Sequence, residues 1–171
     1  MKLLRFGPPG QEKPGLLDAA GNIRDVSGLL DDFSPRTLSP EAFDVLRALD
    51  LERLPTVVGS PRLGVPWSGM GKYVAIGLNY SDHAKDLEAI YPDQPASFIK
   101  GDQTIIGPGD TILLPPESER VTAEAELGVV IGRTCRRVSE ADALSYVAGY
   151  CLILDMTAED ILQKNPRYLT R

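Results

Sequence analysis

The chain has 171 residues, of which 43% are hydrophobic and 25% are charged, and its formal net charge is -6. This length can bury one substantial core and a small additional unit. Because phosphate binding requires clustered Lys and Arg, and the basic residues here are scattered, we expect no nucleic-acid partner. No apolar run approaches the roughly 20 residues of a membrane helix, and a signal-peptide pattern is missing, so we expect no membrane association and a cytoplasmic location.

Residues 1–67 are predicted to form a small β-rich N-terminal domain. The segment MKLLRF is typical of a strand, and GLLDAAGNIRDVSGL indicates two short strands around the turn signal AGN. Ser39 is expected to cap a short helix in which Pro40 is the first residue. The stretch from 55 to 71 is rich in Pro and Gly and has weak periodicity, which places the boundary near Trp67.

Residues 68–171 are predicted to be mainly β. Strands are expected at KYVAIGL, ASFIK, TILLP and AEAELGVVIG, and a short helical piece is expected to begin at Ser81. Ser139 is expected to cap a helix that Gly149 breaks. The segment YCLILDM should be a buried strand ending at Asp155, before a helix that Thr157 begins. Strands outnumber helices, so the predicted fold class is α+β, mainly β.

Two glutamates in AEAELGVVIG are the most informative residues for chemistry. Side chains alternate along a strand, so Glu124 and Glu126 point to the same side, with Cα atoms about 6.8 Å apart. Two buried carboxylates this close repel each other unless a cation lies between them. Asp155, which follows an apolar run, is a third candidate ligand. Such an all-carboxylate set favours Mg²⁺, Mn²⁺ or Ca²⁺ over Zn²⁺.

A plainer interpretation of the same three acids stays open. Glu124 and Glu126 are equally compatible with the solvent-facing side of a half-exposed strand. Asp155 is equally compatible with an acid near the N-terminus of a helix, where a negative charge is favourable.

A second group of candidate residues is catalytic. His83 is the only histidine, and it precedes Asp86 by three residues, which places both on one side of a helix. A carboxylate beside an imidazole orients the ring and raises its basicity, as a general base requires. Lys100 at the end of ASFIK could bind a substrate carboxylate. The alternatives are a surface His–Asp pair and a solvated lysine.

Four motifs occur in order after residue 72. They are G-x-N-Y-x-x-H in VAIGLNYSDH, F-x-K in ASFIK, the strand E-x-E-L-x-V-V-I-G, and a V-A-G-Y strand that closes on an aspartate. In this order and spacing, residues 72–171 resemble the fumarylacetoacetate hydrolase family. The first seventy residues match only as a variable appended domain.

The resemblance implies a mixed β-sandwich roll that is usually a homodimer. It implies Mg²⁺ or Mn²⁺ held by Glu124, Glu126 and Asp155. In the smaller family members a His and an acid three residues later activate water, and these map onto His83 and Asp86. Many relatives carry Glu at the latter position, whereas this chain has the shorter Asp.

The implied activity is hydrolysis of C–C bonds in small oxo acids of the acylpyruvate or fumarylacetoacetate type. As a hypothesis, the metal chelates two substrate oxygens and stabilises the enolate that forms when the bond breaks, while His83 deprotonates water. The alternatives are an isomerase of the 2-hydroxyhepta-2,4-diene-1,7-dioate type and a decarboxylase of the oxaloacetate type, which share the enolate.

Two departures from the family pattern affect these expectations. Glu159 stands where many relatives have an arginine that could meet a substrate carboxylate, so the charge of the substrate is open. The family also continues beyond the point where this chain ends at Arg171, with a lysine-bearing segment and further strands. We therefore expect the N-terminal portion of an enzyme with an incomplete roll. A further alternative is a non-catalytic fragment that binds a metal or a partner.

Overall fold

The computed structural model describes residues 1–86, 90 and 93–164. Strands dominate, and the helices are short. The strands are β1 (Leu3–Phe6), β2 (Lys13–Leu17), β3 (Ile23–Asp25), β4 (Leu63–Gly64), β5 (Tyr73–Gly77), β6 (Ala96–Lys100), β7 (Val121–Ile131) and β8 (Val147–Ala158). The α-helices are α1 (Pro40–Arg47), α2 (Ser81–Asp86) and α3 (Glu159–Lys164), and 3-10 helices span Leu51–Arg53, Asp102–Thr104 and Glu140–Tyr146. None of the described helices is long and apolar enough to cross a membrane.

The strands form three sheets. The first has four strands in the order β3-β2-β1-β4, with antiparallel neighbours throughout. Strands β5 and β6 form an antiparallel pair in which Val74 lies opposite Ile99. Strands β7 and β8 form the third sheet, which also has two strands.

The predicted strands and turn of the N-terminal segment are confirmed. The AGN turn joins β2 to β3, and Gly21 adopts a φ of 86°, which a residue without a Cβ accepts at no steric cost. The Asp18 carboxylate accepts hydrogen bonds from the backbone N–H groups of Ala20 and Asn22 at 2.9 and 2.8 Å. A hydrogen bond from the Asn22 side chain is the main cause that lowers the pKa of Asp18 to about 2.

Helix α1 also begins where its sequence signals indicate. The Ser39 hydroxyl accepts a hydrogen bond from the backbone N–H of Ala42 at 3.3 Å, and Pro40 is the first helical residue. A cap of this kind satisfies an N–H group that has no partner inside the helix. The helix buries Phe43 and Leu46.

One core cluster lies under the four-stranded sheet and α1. Leu16, Val26 and Phe33 are completely buried at its centre. Two residues from the second half of the chain, Val130 of β7 and Ala148 of β8, also pack against this cluster. The long strands of the second half therefore contribute to the core that the first half builds.

The chain divides into two compact units, each made of several segments. One comprises residues 1–70, 106–113 and 123–156, and the other comprises residues 71–105, 114–122 and 157–171. The predicted domains, 1–67 and 68–171, follow a single cut in the sequence. That division stays a prediction.

A chain of ion pairs connects loops of the first unit. The Arg5 guanidinium donates to Asp32 at 2.7 Å, and Arg62 donates to Glu12 at 2.9 Å and to Asp110 at 2.7 Å. The hydrogen bonds from Arg62 are the main cause that holds the pKa of the Asp110 carboxyl below its ordinary value. The turn at Asp110 is thereby fixed to the N-terminal sheet.

One predicted strand and one predicted helix are corrected. Residues 111–115 form no strand, and Pro115, the last of them, and the adjacent Pro116 cannot donate ladder hydrogen bonds. The helix after Ser139 is a 3-10 helix that ends at Tyr146. Gly149 therefore does not break a helix, because it already lies inside β8.

The end of β8 differs from the prediction in a way that matters for the site. The strand continues to Ala158, so Asp155 lies within it, and Thr157 is a strand residue rather than the start of a helix. Pairing with β7 extends the strand, since the backbone N–H of Glu159 donates to the Arg120 carbonyl at 2.9 Å. The nonlocal partner thus overrides the local capping signal.

Candidate functional site

Strand β7 places its acidic residues on the less exposed side. Glu124, Glu126 and Gly128 alternate with residues of higher exposure and are each half-buried. Leu127 and Val129, on the opposite side, are 56% and 49% exposed. The two glutamates therefore do not lie on the solvent-facing side of the strand.

Strand β8 shows the same alternation. Cys151 and Ile153 are half-buried, and Asp155 is buried at 6% exposure. Between them, Leu152 and Leu154 are 92% and 61% exposed. A carboxylate is the most buried side chain of this strand's central part, and two leucines are the most exposed.

Contacts of Gly128 show that the two half-buried sides are one face of the sheet. A Cβ atom at Gly128 would lie 2.6 Å from the Cys151 sulfur and 2.6 Å from Cδ1 of Ile153. A side chain at position 128 would have to displace these two side chains, so Cys151 and Ile153 occupy the space beside Gly128. Glu124, Glu126 and Asp155 consequently share one face, which we call the inner face of the β7–β8 pair.

The strand register brings two of these acids opposite each other. Arg120 and Glu159 are joined by a backbone hydrogen bond at one end of the pair. Four residues further along each antiparallel strand are Glu124 and Asp155, which are therefore cross-strand neighbours. Strand pairing thus makes neighbours of two predicted ligands, Glu124 and Asp155, which lie about thirty positions apart in the sequence.

The donor chemistry of this face suits a hard divalent cation, since all three side chains offer carboxylate oxygens. Within the described residues, however, no three His, Cys, Asp or Glu side chains are gathered closely enough to hold a metal ion. Glu124, Glu126 and Asp155 each have an interaction partner in the structure. A cation would therefore require their side chains to turn toward one point, and the metal site stays a prediction.

The catalytic candidates lie in the other compact unit. The backbone of α2 carries His83 and Asp86, but both side chains lie outside the described part of the structure. Lys100 ends β6, half-buried, with its ammonium group 6.0 Å from the centroid of the Phe98 ring. The roles predicted for all three residues stay predictions.

The predictions from sequence overlooked Cys151 as a residue of the inner face. Burial raises the pKa of its thiol, which keeps the group neutral at physiological pH. The signal was present, because Cys151, Ile153 and Asp155 occupy alternate positions of one apolar strand.

Glu159, the residue at which the sequence departs from the family pattern, has a partner in the structure. Its carboxylate lies 2.8 Å from Nε of Arg120, whose side chain is 64% exposed. On the same turn, the Ser118 hydroxyl donates to the Asp160 carboxylate at 2.5 Å. These bonds fix the start of α3 to the segment that precedes β7.

Fold and site together define a mainly β protein with carboxylates on the half-buried face of a long strand pair. The sequence model of the C-terminal domain of fumarylacetoacetate hydrolases matches residues 72–170. The chain therefore belongs to the fumarylacetoacetate hydrolase family.

Individual relatives agree with this membership. The chain is 49% identical over 160 residues to a provisionally named hydrolase of Burkholderia cenocepacia, a match that covers 94% of this chain and 57% of the relative. It thus spans somewhat more than half the length of the curated relatives that it matches.

Solved structures show the same fold. The fumarylacetoacetate hydrolase of Exiguobacterium antarcticum matches with a TM-score of 0.77 and 28% identity, over 97% of this chain and 59% of that protein. The maleylpyruvate hydrolase of Sphingobium sp. SYK-6, solved with manganese(II) and pyruvate, matches with a TM-score of 0.74 and 28% identity, over 92% and 59% of the two chains. The fold is therefore that of the family, and it is incomplete in this chain.

Proposed function

We propose that this chain supplies the metal-binding part of a divalent-metal-dependent hydrolase that cleaves C–C bonds of small oxo acids. The observation that carries the proposal is the shared inner face of Glu124, Glu126 and Asp155. Carboxylates on a half-buried face repel one another unless a cation compensates their charge. The solved maleylpyruvate hydrolase, which contains manganese and the oxo acid pyruvate, supports the same substrate class.

Each residue has a role in this proposal. Glu124, Glu126 and Asp155 would hold Mg²⁺ or Mn²⁺, whose positive charge stabilises an enolate developing on the substrate. His83 would accept a proton from the attacking water, and Asp86 would orient the imidazole. Lys100 would bind a substrate carboxylate through its ammonium group. The roles of His83, Asp86 and Lys100 rest on the sequence motifs.

Two alternatives have support of their own. An isomerase or decarboxylase would use the same enolate without the attacking water, and a solved 5-carboxymethyl-2-hydroxymuconate delta-isomerase of Mycobacterium smegmatis has this fold at 25% identity and a TM-score of 0.70. A non-catalytic chain that binds a metal or a partner is compatible with a match to 57% of the relative's length. The homodimer and the cytoplasmic location stay predictions.

Calorimetric titration of Mg²⁺ and Mn²⁺ into the 171-residue chain tests the metal site directly. We expect one site, and we expect Glu126→Gln to weaken binding at least ~10-fold, because a neutral amide replaces a charged ligand. The matched control is Glu117→Gln, which changes an exposed carboxylate outside the inner face.

The outcomes separate the proposals. Binding that Glu126→Gln weakens and Glu117→Gln leaves unchanged supports the inner-face site and justifies a screen of oxo acids. Binding that both variants weaken equally points to diffuse acidic attraction. No binding at millimolar metal would favour the non-catalytic chain.

A further inference from the structure

A groove lies beside α1, within the compact unit that contains residues 1–70. It has an apolar part with a volume of about 230 Å³ and a polar part with a volume of about 420 Å³. Leu29, Leu30 and Thr37 line both parts, so the two are continuous. We call this feature the α1 groove. Its polar part alone falls within the range of roughly 300–1,000 Å³ that is usual for small-molecule sites.

The apolar part of the α1 groove leaves hydrophobic surface in contact with water. Ala42 and Val45, which lie one helical turn apart on α1, line it together with Leu49. Val45 is 66% exposed, and Leu29, which borders the same space, is 58% exposed. An apolar group bound here would remove this surface from water, which is favourable.

The polar part carries two opposite charges that are not paired with each other. Asp31 and Arg36 both line it, and both are exposed. Within the described residues neither side chain forms an ion pair, so their charged atoms lie more than 4.0 Å apart. The charge of Asp32, which also lines this part, is compensated by Arg5, whose Nε donates to it at 2.7 Å. A positive and a negative group thus face one cavity, each available to a ligand.

These charges and the apolar surface together define the chemistry of a ligand. A simple carboxylate would be attracted by Arg36 but repelled by Asp31, and a simple amine would meet the reverse. A molecule with an ammonium and a carboxylate group a few ångströms apart satisfies both side chains. We propose that the α1 groove binds an α-amino acid with an apolar side chain.

Each part of such a ligand has a partner in the groove. Its ammonium group donates to the Asp31 carboxylate, and its carboxylate accepts from Arg36, whose planar guanidinium offers two parallel N–H groups. Its side chain lies along the apolar part against Leu29 and Val45. The site is additional to the proposed function, because it contains none of the residues that have a role there.

Backbone amide NMR spectra of the isotope-labelled 171-residue chain, recorded during addition of leucine, test the proposal. We expect the amide signals of Leu30, Thr37 and Val45 to shift saturably, with half-saturation at or below about 1 mM, an affinity within reach of a ligand of this size. Three matched probes each lack one part of leucine. Isocaproate lacks the ammonium group, isoamylamine lacks the carboxylate, and glycine lacks the apolar side chain. Each should bind at least ~3-fold more weakly.

Variants of the two charged residues connect binding to the groove. Arg36→Gln and Asp31→Asn should each weaken leucine binding at least ~3-fold. Arg36→Gln should not weaken the binding of isoamylamine, which has no carboxylate for Arg36 to contact. The matched control is Arg53→Gln, which changes an exposed arginine outside the groove and should leave leucine binding unchanged. Unchanged amide signals of the buried Leu16 and Val26 verify that each variant is folded.

Three results would overturn the proposal. The first is the lack of a saturable shift at leucine concentrations tenfold above the expected half-saturation. The second is equal binding of leucine and isocaproate, because Asp31 would then contribute nothing. The third is an equal loss in Arg36→Gln and Arg53→Gln, which would indicate diffuse attraction by positive charge. The titrations contain neither metal nor oxo acid, so failure here leaves the proposed function untouched.

Discussion

The N-terminal sheet and the β7–β8 pair distribute their apolar side chains in opposite ways. In the first, Leu16 of β2 is completely buried, and charged residues form ion pairs at the periphery. In the second, Leu152 and Leu154 are exposed, while Asp155 is buried. The N-terminal sheet thus buries apolar side chains and keeps its charged groups near the surface. In β7–β8 the exposed side chains are apolar and a carboxylate is buried, which is the reverse of that distribution.

Truncating one leucine in each region to alanine should give the largest difference in the free energy of unfolding. Leu16→Ala removes a completely buried side chain and should lower the free energy of unfolding by about 2–5 kcal/mol. Leu152→Ala removes a side chain that is 92% exposed and should change it by less than about 0.5 kcal/mol. Urea denaturation of both variants measures the difference. Similar losses would show that Leu152 is already covered in this chain and would remove the contrast.

A substitution at Gly128, where β7 and β8 lie close together, should have a smaller effect on stability. Gly128→Val forces side-chain atoms into the space of Cys151 and Ile153 and should destabilise the protein by about 1–3 kcal/mol. The control is Gly149→Ala in β8, where an added Cβ meets nothing within 4 Å. Thermal unfolding monitored by circular dichroism compares them. A neutral Gly128→Val variant would contradict the tight contact and, with it, the argument that the two half-buried sides form one face.

The smallest expected effect is the change in stability with pH that Asp18 causes in the β2–β3 turn. The pKa of Asp18 is lowered to about 2 in the folded protein from an ordinary value of 3.8. Its carboxylate therefore stabilises the fold above about pH 4, and this contribution is lost as the pH falls toward 2. Asp18→Asn should lower the urea midpoint at pH 7, and its difference from wild type should shrink between pH 4 and pH 2.

Asp31→Asn, at an exposed acid, serves as the comparison for this titration. If the difference in urea midpoint between wild type and Asp18→Asn stayed constant across the pH range, the charge of Asp18 would not stabilise the turn. Such a result would also weaken the view that polar contacts at its periphery stabilise the N-terminal sheet.

Features governed by local sequence were predicted well. The turn at Gly21 and the cap at Ser39 depend on residues within a few positions of each other, and the structure confirms both. The long strand β7 also followed from a continuous apolar and alternating pattern. Family membership was predicted from the order of four motifs and is confirmed over residues 72–170.

Features governed by strand pairing were not predicted. Thr157 has the sequence of a helix start, but pairing with β7 keeps it in β8, and Asp155 is thereby moved into the interior of a strand. The sequence also did not decide which side of β7 is buried. By composition, the side with Leu127 and Val129 should be the buried one, yet the side with Glu124 and Glu126 is less exposed. Contact of Val130 with the distant core decides this orientation.

The alternation of β7 also limits how its length can change. A substitution alters one face at one position, whereas an insertion or deletion of one residue exchanges the two faces for every residue on one side of it. Removing Ala125, for example, would leave Glu124 and Glu126 adjacent, and they would point in opposite directions. We therefore expect natural and engineered length variation to occur in the loops that flank β7, while its central segment varies in composition only.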